Sequence, residues 1–277
     1  QVMARWQKAV SGTDEKTRVR AIDLYGGGVW GELRRRHAEL REKGIEVRIV
    51  SAGLGLLSPD DKVPAYDATF APGAENAIGG MRGAVNRNRE WWALLGSWSG
   101  LGSGQRSLHE SVQYHSSAVH LIALPLDYMD AVLEDLDSIS KDEAAQKRTV
   151  VLAGPYSAGG RRIPQTIEIV GDLYGGLGGT RGTVLARAGL FLAERLKGRA
   201  ADLTAIAEAL KPLYAKVKPL PVRTVRTDAQ ISDFLHSALR SDASLSSSKL
   251  LERFRVAGFA CEQPRFRKLH TAVKKSL

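Results

Sequence analysis

Two short, almost wholly apolar runs constrain this chain more than any other feature. Val119 to Leu124 and Thr149 to Ala153 each have the length of a strand and no polar face to turn to water. Such runs read as apolar strands, and strands alternating with helices indicate an α/β body. Between them Met129, Val132, Leu133, Leu136 and Ile139 recur at helical spacing. Three more helices are predicted: Val29 to Lys43, stopped by Gly44 where a left-handed cap belongs, Met81 to Leu95, and Thr183 to Lys197. Val47 to Val50 forms a short strand that runs into a turn with two glycines. Pro64 to Phe70 reads as extended or looped. The expected fold class is α/β, a mixed sheet flanked by helices.

The 277 residues are enough to bury a large core, and 43% hydrophobic with 25% charged residues excludes a wholly disordered or fibrous chain. No apolar run reaches the ~18 residues of a membrane span, so no membrane partner is expected. Gln1 to Arg5 lacks the apolar stretch of a signal peptide, and a start on Gln instead of Met leads us to expect residues upstream. The single cysteine, Cys261, excludes an internal disulfide, argues against a zinc–thiolate site and fits a reducing cytoplasm. It is either a nucleophile or, the blander reading, a buried apolar residue.

Charge is unevenly spread. From Pro212 to Leu277 there are thirteen Lys or Arg against five Asp or Glu, a balance of +8 out of the +10 of the whole chain. A neutral body with a basic tail suggests a polyanion, and nucleic acid first. The expected boundaries are an α/β body at 1–211, a linker at 212–226 carrying Pro212, Pro219 and Pro221, and a basic helical module at 227–277. The module reads as three helices. The first has Asp228 as N-cap, the second follows serines 246–248 and stops at Gly258, and the third opens at Glu262-Gln263-Pro264. Phe266, Leu269 and Val273 give the third an apolar face and turn Arg265, Arg267, Lys268, Lys274 and Lys275 largely away from it. With Arg253 and Arg255, these are the candidate DNA-binding residues. A plain solvated face is the alternative.

In the body, Gly175 to Gly182 leads into a helix, so the amides around Gly178 and Gly179 can cradle an anion and Arg181 can clamp it, unless the stretch is only a tight turn. It is neither a Walker loop nor a dinucleotide fingerprint. Asp67, between Tyr66 and Thr69, is a candidate general base or a turn cap. Ser51 ends a buried strand, but not in a nucleophile elbow. Trp91 and Trp92 are candidates to stack on a base, with core packing the competing use. The six histidines form no metal motif, and His115 and His120 are read as opposite faces of one strand. No metal and no cofactor is expected.

Leu24-Tyr25-Gly26-Gly27, Val50-Ser51-Ala52-Gly53-Leu54-Gly55-Leu56, Pro64-Ala65-Tyr66-Asp67-Ala68-Thr69-Phe70 and Leu177-Gly178-Gly179-Thr180-Arg181 form an ordered set. It resembles the YaaA-like superfamily, over roughly Ala21 to Leu196. Members usually open on a strand ending in a Cys-Ser-x-x-Lys type loop, which this sequence lacks. A basic helical C-terminus is similar to the DpdC branch, which serves bacterial clusters that put 7-deazaguanines into DNA. That resemblance implies hydration of the nitrile of 7-cyano-7-deazaguanine (preQ0) in double-stranded DNA. Other proteins of such a cluster are implied as partners. It implies Asp67 as the water-activating group, with Ser51, Tyr66 and Thr69 supplying hydrogen bonds. Backbone amides after Gly53 or near Gly178 would face the nitrile nitrogen, and Trp91 or Trp92 would stack on the extruded base. The other class it implies is a non-catalytic DNA-binding stress or defence protein.

Overall fold

The protein, described here by a computed structural model at residues 2–80, 83–98, 104–154, 164–170, 173–196, 202–215, 217 and 223–276, divides into two compact units, 1–217 and 218–277. Pro219 and Pro221 of the expected linker, and Gly171, lie outside the described residues.

Three parallel strands, His120–Ala123, Thr149–Ala153 and Gln165–Glu168, lie side by side in that order. The central strand is buried at every residue. Its alternate side chains enter two different cores. Val151 and Ala153 pack with Trp91, Trp92, Leu136 and Ile139, while Val150 and Leu152 pack with Ala188, Leu192, Ile206 and Leu210. This is why the run shows no polar alternation: both faces are covered. The helix Val184–Leu196 covers one face and approaches closely at Gly189, where a Cβ would meet that of Ala123 at 3.4 Å. On the way from the first strand to the second the chain makes three helices where one was expected, Leu126–Ala131 and Leu133–Lys141, separated at Val132, and then Glu143–Lys147.

The sheet is smaller than a single mixed sheet. The antiparallel pairs are separate: Ile49–Ser51 with Gly55–Leu57, and Val19–Arg20 with Lys62–Val63. The whole is mixed α and β, with small sheets flanked by helices. Gly28–Glu42 is helical and buries Leu33, His37 and Leu40. Gly44 follows at φ 72°, the left-handed stop that the sequence signals. The helix expected from Met81 is Val85–Gly96, and the segment 64–70 is irregular apart from an isolated bridge at Thr69. The helices Val2–Ser11 and Leu108–Tyr114 and the strand Gln165–Glu168 were not anticipated.

The linker does not begin at Pro212. That residue sits inside the helix Leu203–Tyr214, which continues past it with a bond from Ala215 N–H to the Lys211 carbonyl at 3.1 Å. A proline so close to the end removes only one ladder bond, and burial of Ile206, Leu210 and Leu213 holds the helix.

The second unit contains the three expected helices, Asp228–Ser241, Ser247–Val256 and Gln263–Ser276. The first is capped by Thr227, in a capping box with Gln230, so Asp228 is its first helical residue and not its cap. Ile231, Leu235, Leu250, Phe254, Phe266 and Val273 form one core, and Phe254 touches the rings of Phe234, Phe259 and Phe266. Cys261 is buried in it, as an apolar residue would be. Thr224–Val225 pairs in parallel with Phe259–Ala260 and ties the start of the unit to its last turn. Among the described residues no helix is long and apolar enough to cross a membrane.

Candidate active site and nucleic-acid face

The hairpin Ile49–Ser51/Gly55–Leu57 turns through Ala52, Gly53 and Leu54, and the Ser51 hydroxyl sits under the turn, buried. Its Oγ accepts the Leu54 N–H at 3.0 Å and lies 2.7 Å from the Tyr66 hydroxyl. The Tyr66 hydroxyl lies in turn 2.8 Å from that of Tyr25. Three hydroxyls thus run from the hairpin, across the 64–70 segment, to the Leu24-Tyr25-Gly26-Gly27 loop. Burial pushes both phenols above their ordinary value, so both stay protonated at neutral pH. Tyr25 stacks on Trp30 with ring centres 4.5 Å apart, and its carbonyl accepts from Arg34 at 2.6 Å.

Tyr66 is held edge-on to Trp6, whose indole N–H donates to the Gly53 carbonyl at 2.7 Å. Gly53 has no room for a side chain: a Cβ there would stand 2.5 Å from the Tyr66 ring and 2.9 Å from Trp6. The amide after Gly53, expected to face the substrate, is already taken by Ser51.

Asp67 does not share in the hydroxyl chain. It is exposed and accepts from the Asn76 side chain. The Thr69 hydroxyl accepts from the Ala71 amide at 3.1 Å and lies 3.4 Å from that of Tyr128. Ser51 and Tyr66 are therefore brought together directly, while Asp67 is on the solvent side of the same segment.

Trp91 and Trp92 do not offer a stacking face. Both are buried; Trp91 donates to the Ala52 carbonyl at 2.8 Å and Trp92 to the Asp135 carboxylate at 3.0 Å. Their polar ends are satisfied and their rings belong to the core, the other use open to a tryptophan. Burial raises the Asp135 carboxyl above its usual range, although Trp92 and the Leu108 amide both donate to it.

The glycine stretch is a turn that only glycine can make at two places. Gly178 and Gly179 have φ of 74° and 83°, and a Cβ on Gly179 would collide with Arg187. Arg187 lies beneath the turn, pairing with Glu32 at 2.7 Å, and a Cβ built on Gly28 would stand 4.0 Å from its guanidinium. Thr180 and Thr183 form a capping box, and Arg181 is exposed at the start of the short turn before Val184. Three of the four quoted motifs are thus linked in space through Tyr25–Tyr66–Ser51, while the fourth packs on Arg187, which pairs with Glu32 of the helix that follows the first motif. Tyr25, Trp6 and Arg187 are members that sequence reasoning missed. Tyr25 lay inside a quoted motif, but Arg187 carried no signal. Two shallow depressions are found elsewhere, on Leu133–Lys141 and beside Arg223 and Arg255; neither is lined by Ser51, Tyr66, Asp67 or Arg181.

His115 and His120 do not share a strand. His115 caps the helix Leu108–Tyr114, while His120 opens the strand and contacts the His115 carbonyl at 3.2 Å. Among the described residues, no cluster of His, Cys, Asp and Glu is placed to hold a metal ion.

In the second unit the helix Gln263–Ser276 buries Phe266, His270 and Val273 and exposes Arg267, Lys268, Lys274 and Lys275. Arg253 is exposed on the preceding helix. Two candidate DNA contacts are committed elsewhere. Arg265 pairs with Asp228 at 2.5 Å and donates to the Arg226 carbonyl at 3.1 Å, which holds this helix to the first. Arg255 donates to the Cys261 carbonyl at 3.1 Å and so braces the last turn.

No family model matches this chain, and neither a curated protein nor a solved structure does.

Proposed function

We propose that this protein binds double-stranded DNA through its C-terminal helical unit and that its α/β body hydrates a nitrile on a 7-deazaguanine base of that DNA. The observation that carries the first half is the helix Gln263–Ser276. It holds five Lys or Arg and no acid, and four of the five cations are exposed opposite a buried face. Phosphates are the natural counterpart of such a face, and binding releases their counterions. The second half rests on the YaaA-like resemblance. It is supported by the meeting of three of the four quoted motifs around protonated Tyr25 and Tyr66. In this reading water adds to the nitrile carbon and gives its proton to Asp67. A phenol gives its proton to the nitrogen, the imidic acid so formed shifts its hydroxyl proton to that nitrogen to become the carboxamide, and the proton held by Asp67 returns to the phenolate through solvent, so that no other reactant is consumed. Thr69 and the Gly178–Gly179 turn border the substrate.

The test is to incubate the protein with duplex DNA carrying 7-cyano-7-deazaguanine, digest it to nucleosides and seek the mass of one added water. A second reading is favoured by the filled positions of Ser51, Trp91 and Trp92: a DNA-binding protein without catalysis, of the stress or defence kind. Salt-sensitive duplex binding with no mass change selects it.

A further inference from the structure

The exposed arc of Gln263–Ser276 is graded, and the grading says more than that it binds phosphate. At about 100° per residue, Arg267, Thr271 and Lys275 follow one another along the middle of the arc. Lys274 and Lys268 lie on its two shoulders, and the whole set spans roughly 120°. All five are exposed. The middle position is no charge: Thr271 donates its hydroxyl to the Arg267 carbonyl at 3.0 Å, which leaves its methyl as the group that faces outward. A surface made only to hold phosphates has no use for a methyl at its centre.

The helix is also fixed near its start and in its middle. Arg265 joins it to Asp228 and to the Arg226 carbonyl near its start, and His270 Nε2 lies 3.1 Å from the Leu245 carbonyl in its middle. A helix ~10–12 Å across fills a B-form major groove of ~12 Å. The preceding helix, Ser247–Val256, is joined to it by residues 257–262, a turn at Gly258 followed by the strand Phe259–Ala260, and the two helices share one core, so the last helix is presented as a rigid rod.

We propose that Gln263–Ser276 reads base sequence in the major groove, with Arg267 and Thr271 against base edges and Lys268, Lys274 and Lys275 on the phosphates of the two walls. This rests on the duplex-binding reading above. An arginine in this place suits the O6 and N7 acceptors of guanine, and the threonine methyl suits that of thymine. Four residues separate them, a rise of ~6 Å, so the two bases lie within about two base pairs. The partner is B-form DNA and not duplex RNA, whose deep, narrow major groove excludes a helix.

The experiment is selection by the full chain from a duplex pool with a randomised centre, read by sequencing, beside salt titration of binding to one fixed duplex. The parent enriches a motif holding a G·C pair within two positions of an A·T pair. Arg267→Ala loses the preference at the G·C position by about 10–100-fold, the scale of one bidentate base contact. Lys274→Ala weakens all sequences alike and lowers the salt slope by about 0.9. Duplex binding by the parent without any enriched motif overturns the proposal and leaves the DNA-binding reading standing, as does a motif that Arg267→Ala leaves intact. Absence of duplex binding by the parent overturns both.

Discussion

Gly53→Ala tests the packing of the hydroxyl chain directly. The added methyl would stand 2.5 Å from two carbons of the Tyr66 ring, where ordinary contact begins near 3.4 Å. The ring must retreat by about 1 Å, or the hairpin turn must deform. Trp6, 2.9 Å away, closes the other side. The ring is also pinned by its hydroxyl, between Ser51 and Tyr25. Overpacking of this kind costs about 1–3 kcal/mol, and two neutral hydrogen bonds stretched or lost add about 1 kcal/mol each, so the expected loss is about 3–5 kcal/mol. All five tryptophans lie at or before residue 98, so indole fluorescence during urea unfolding follows the first unit alone. The midpoint falls with the slope unchanged. In a Tyr66→Ala background the same substitution loses the larger part of its cost, because the ring it strikes is gone. A Gly53→Ala protein within 0.5 kcal/mol of the parent, or a cost unaltered by Tyr66→Ala, refutes the reasoning.

Asp135→Ala orphans the Trp92 indole and the Leu108 amide, and urea titration should show about 1–3 kcal/mol lost for each buried donor. Asp135→Asn keeps an acceptor. Because burial raises the carboxyl's pKa, the parent is favoured by its protonated form and loses that advantage as pH rises from the ordinary aspartate range through the raised value. Unfolding at pH 4 and pH 7 should therefore show the Asn variant gaining on the parent at the higher pH. Arg265→Ala removes the Asp228 pair and lowers the melting temperature of the second unit by circular dichroism, whereas Arg267→Glu with Lys268→Glu leaves it unchanged and weakens duplex binding. Asp67→Asn should cost a hundredfold or more in nitrile hydration, on the order of lost general-base catalysis, with the fold intact because the side chain is exposed; unchanged turnover removes it from the mechanism.

Legibility in the sequence followed burial. Thr149–Ala153 was readable because every position is covered, and the three C-terminal helices because each has one apolar stripe and a marked end. Gln165–Glu168 was not: it is an edge strand, half-buried, with no alternation to mark it. Leu108–Tyr114 is too short for periodicity to show, and only its Ser107 cap pointed to it. In the site, Ser51 and Tyr66 were named but their third member, Tyr25, was not, since proximity across 41 residues has no local signature. The roles of two arginines were hidden as well. Arg265 faces away from the core and looks free for phosphate until Asp228, 37 residues earlier, is seen beside it. Arg255 is likewise held by a backbone carbonyl that no spacing rule points to. Trp91 and Trp92 stood open to either use, because residue type does not say which ring face is covered.

The central strand has a consequence for how the first unit comes apart. Val150 and Leu152 serve one core while Val151 and Ala153 serve the other, so neither core can open without stripping the strand they share. A wall common to two rooms makes them fail together. The backbone amides of 150–153 are then out of reach of the small local openings that expose most of a surface, and their hydrogens exchange with solvent only when the unit as a whole unfolds.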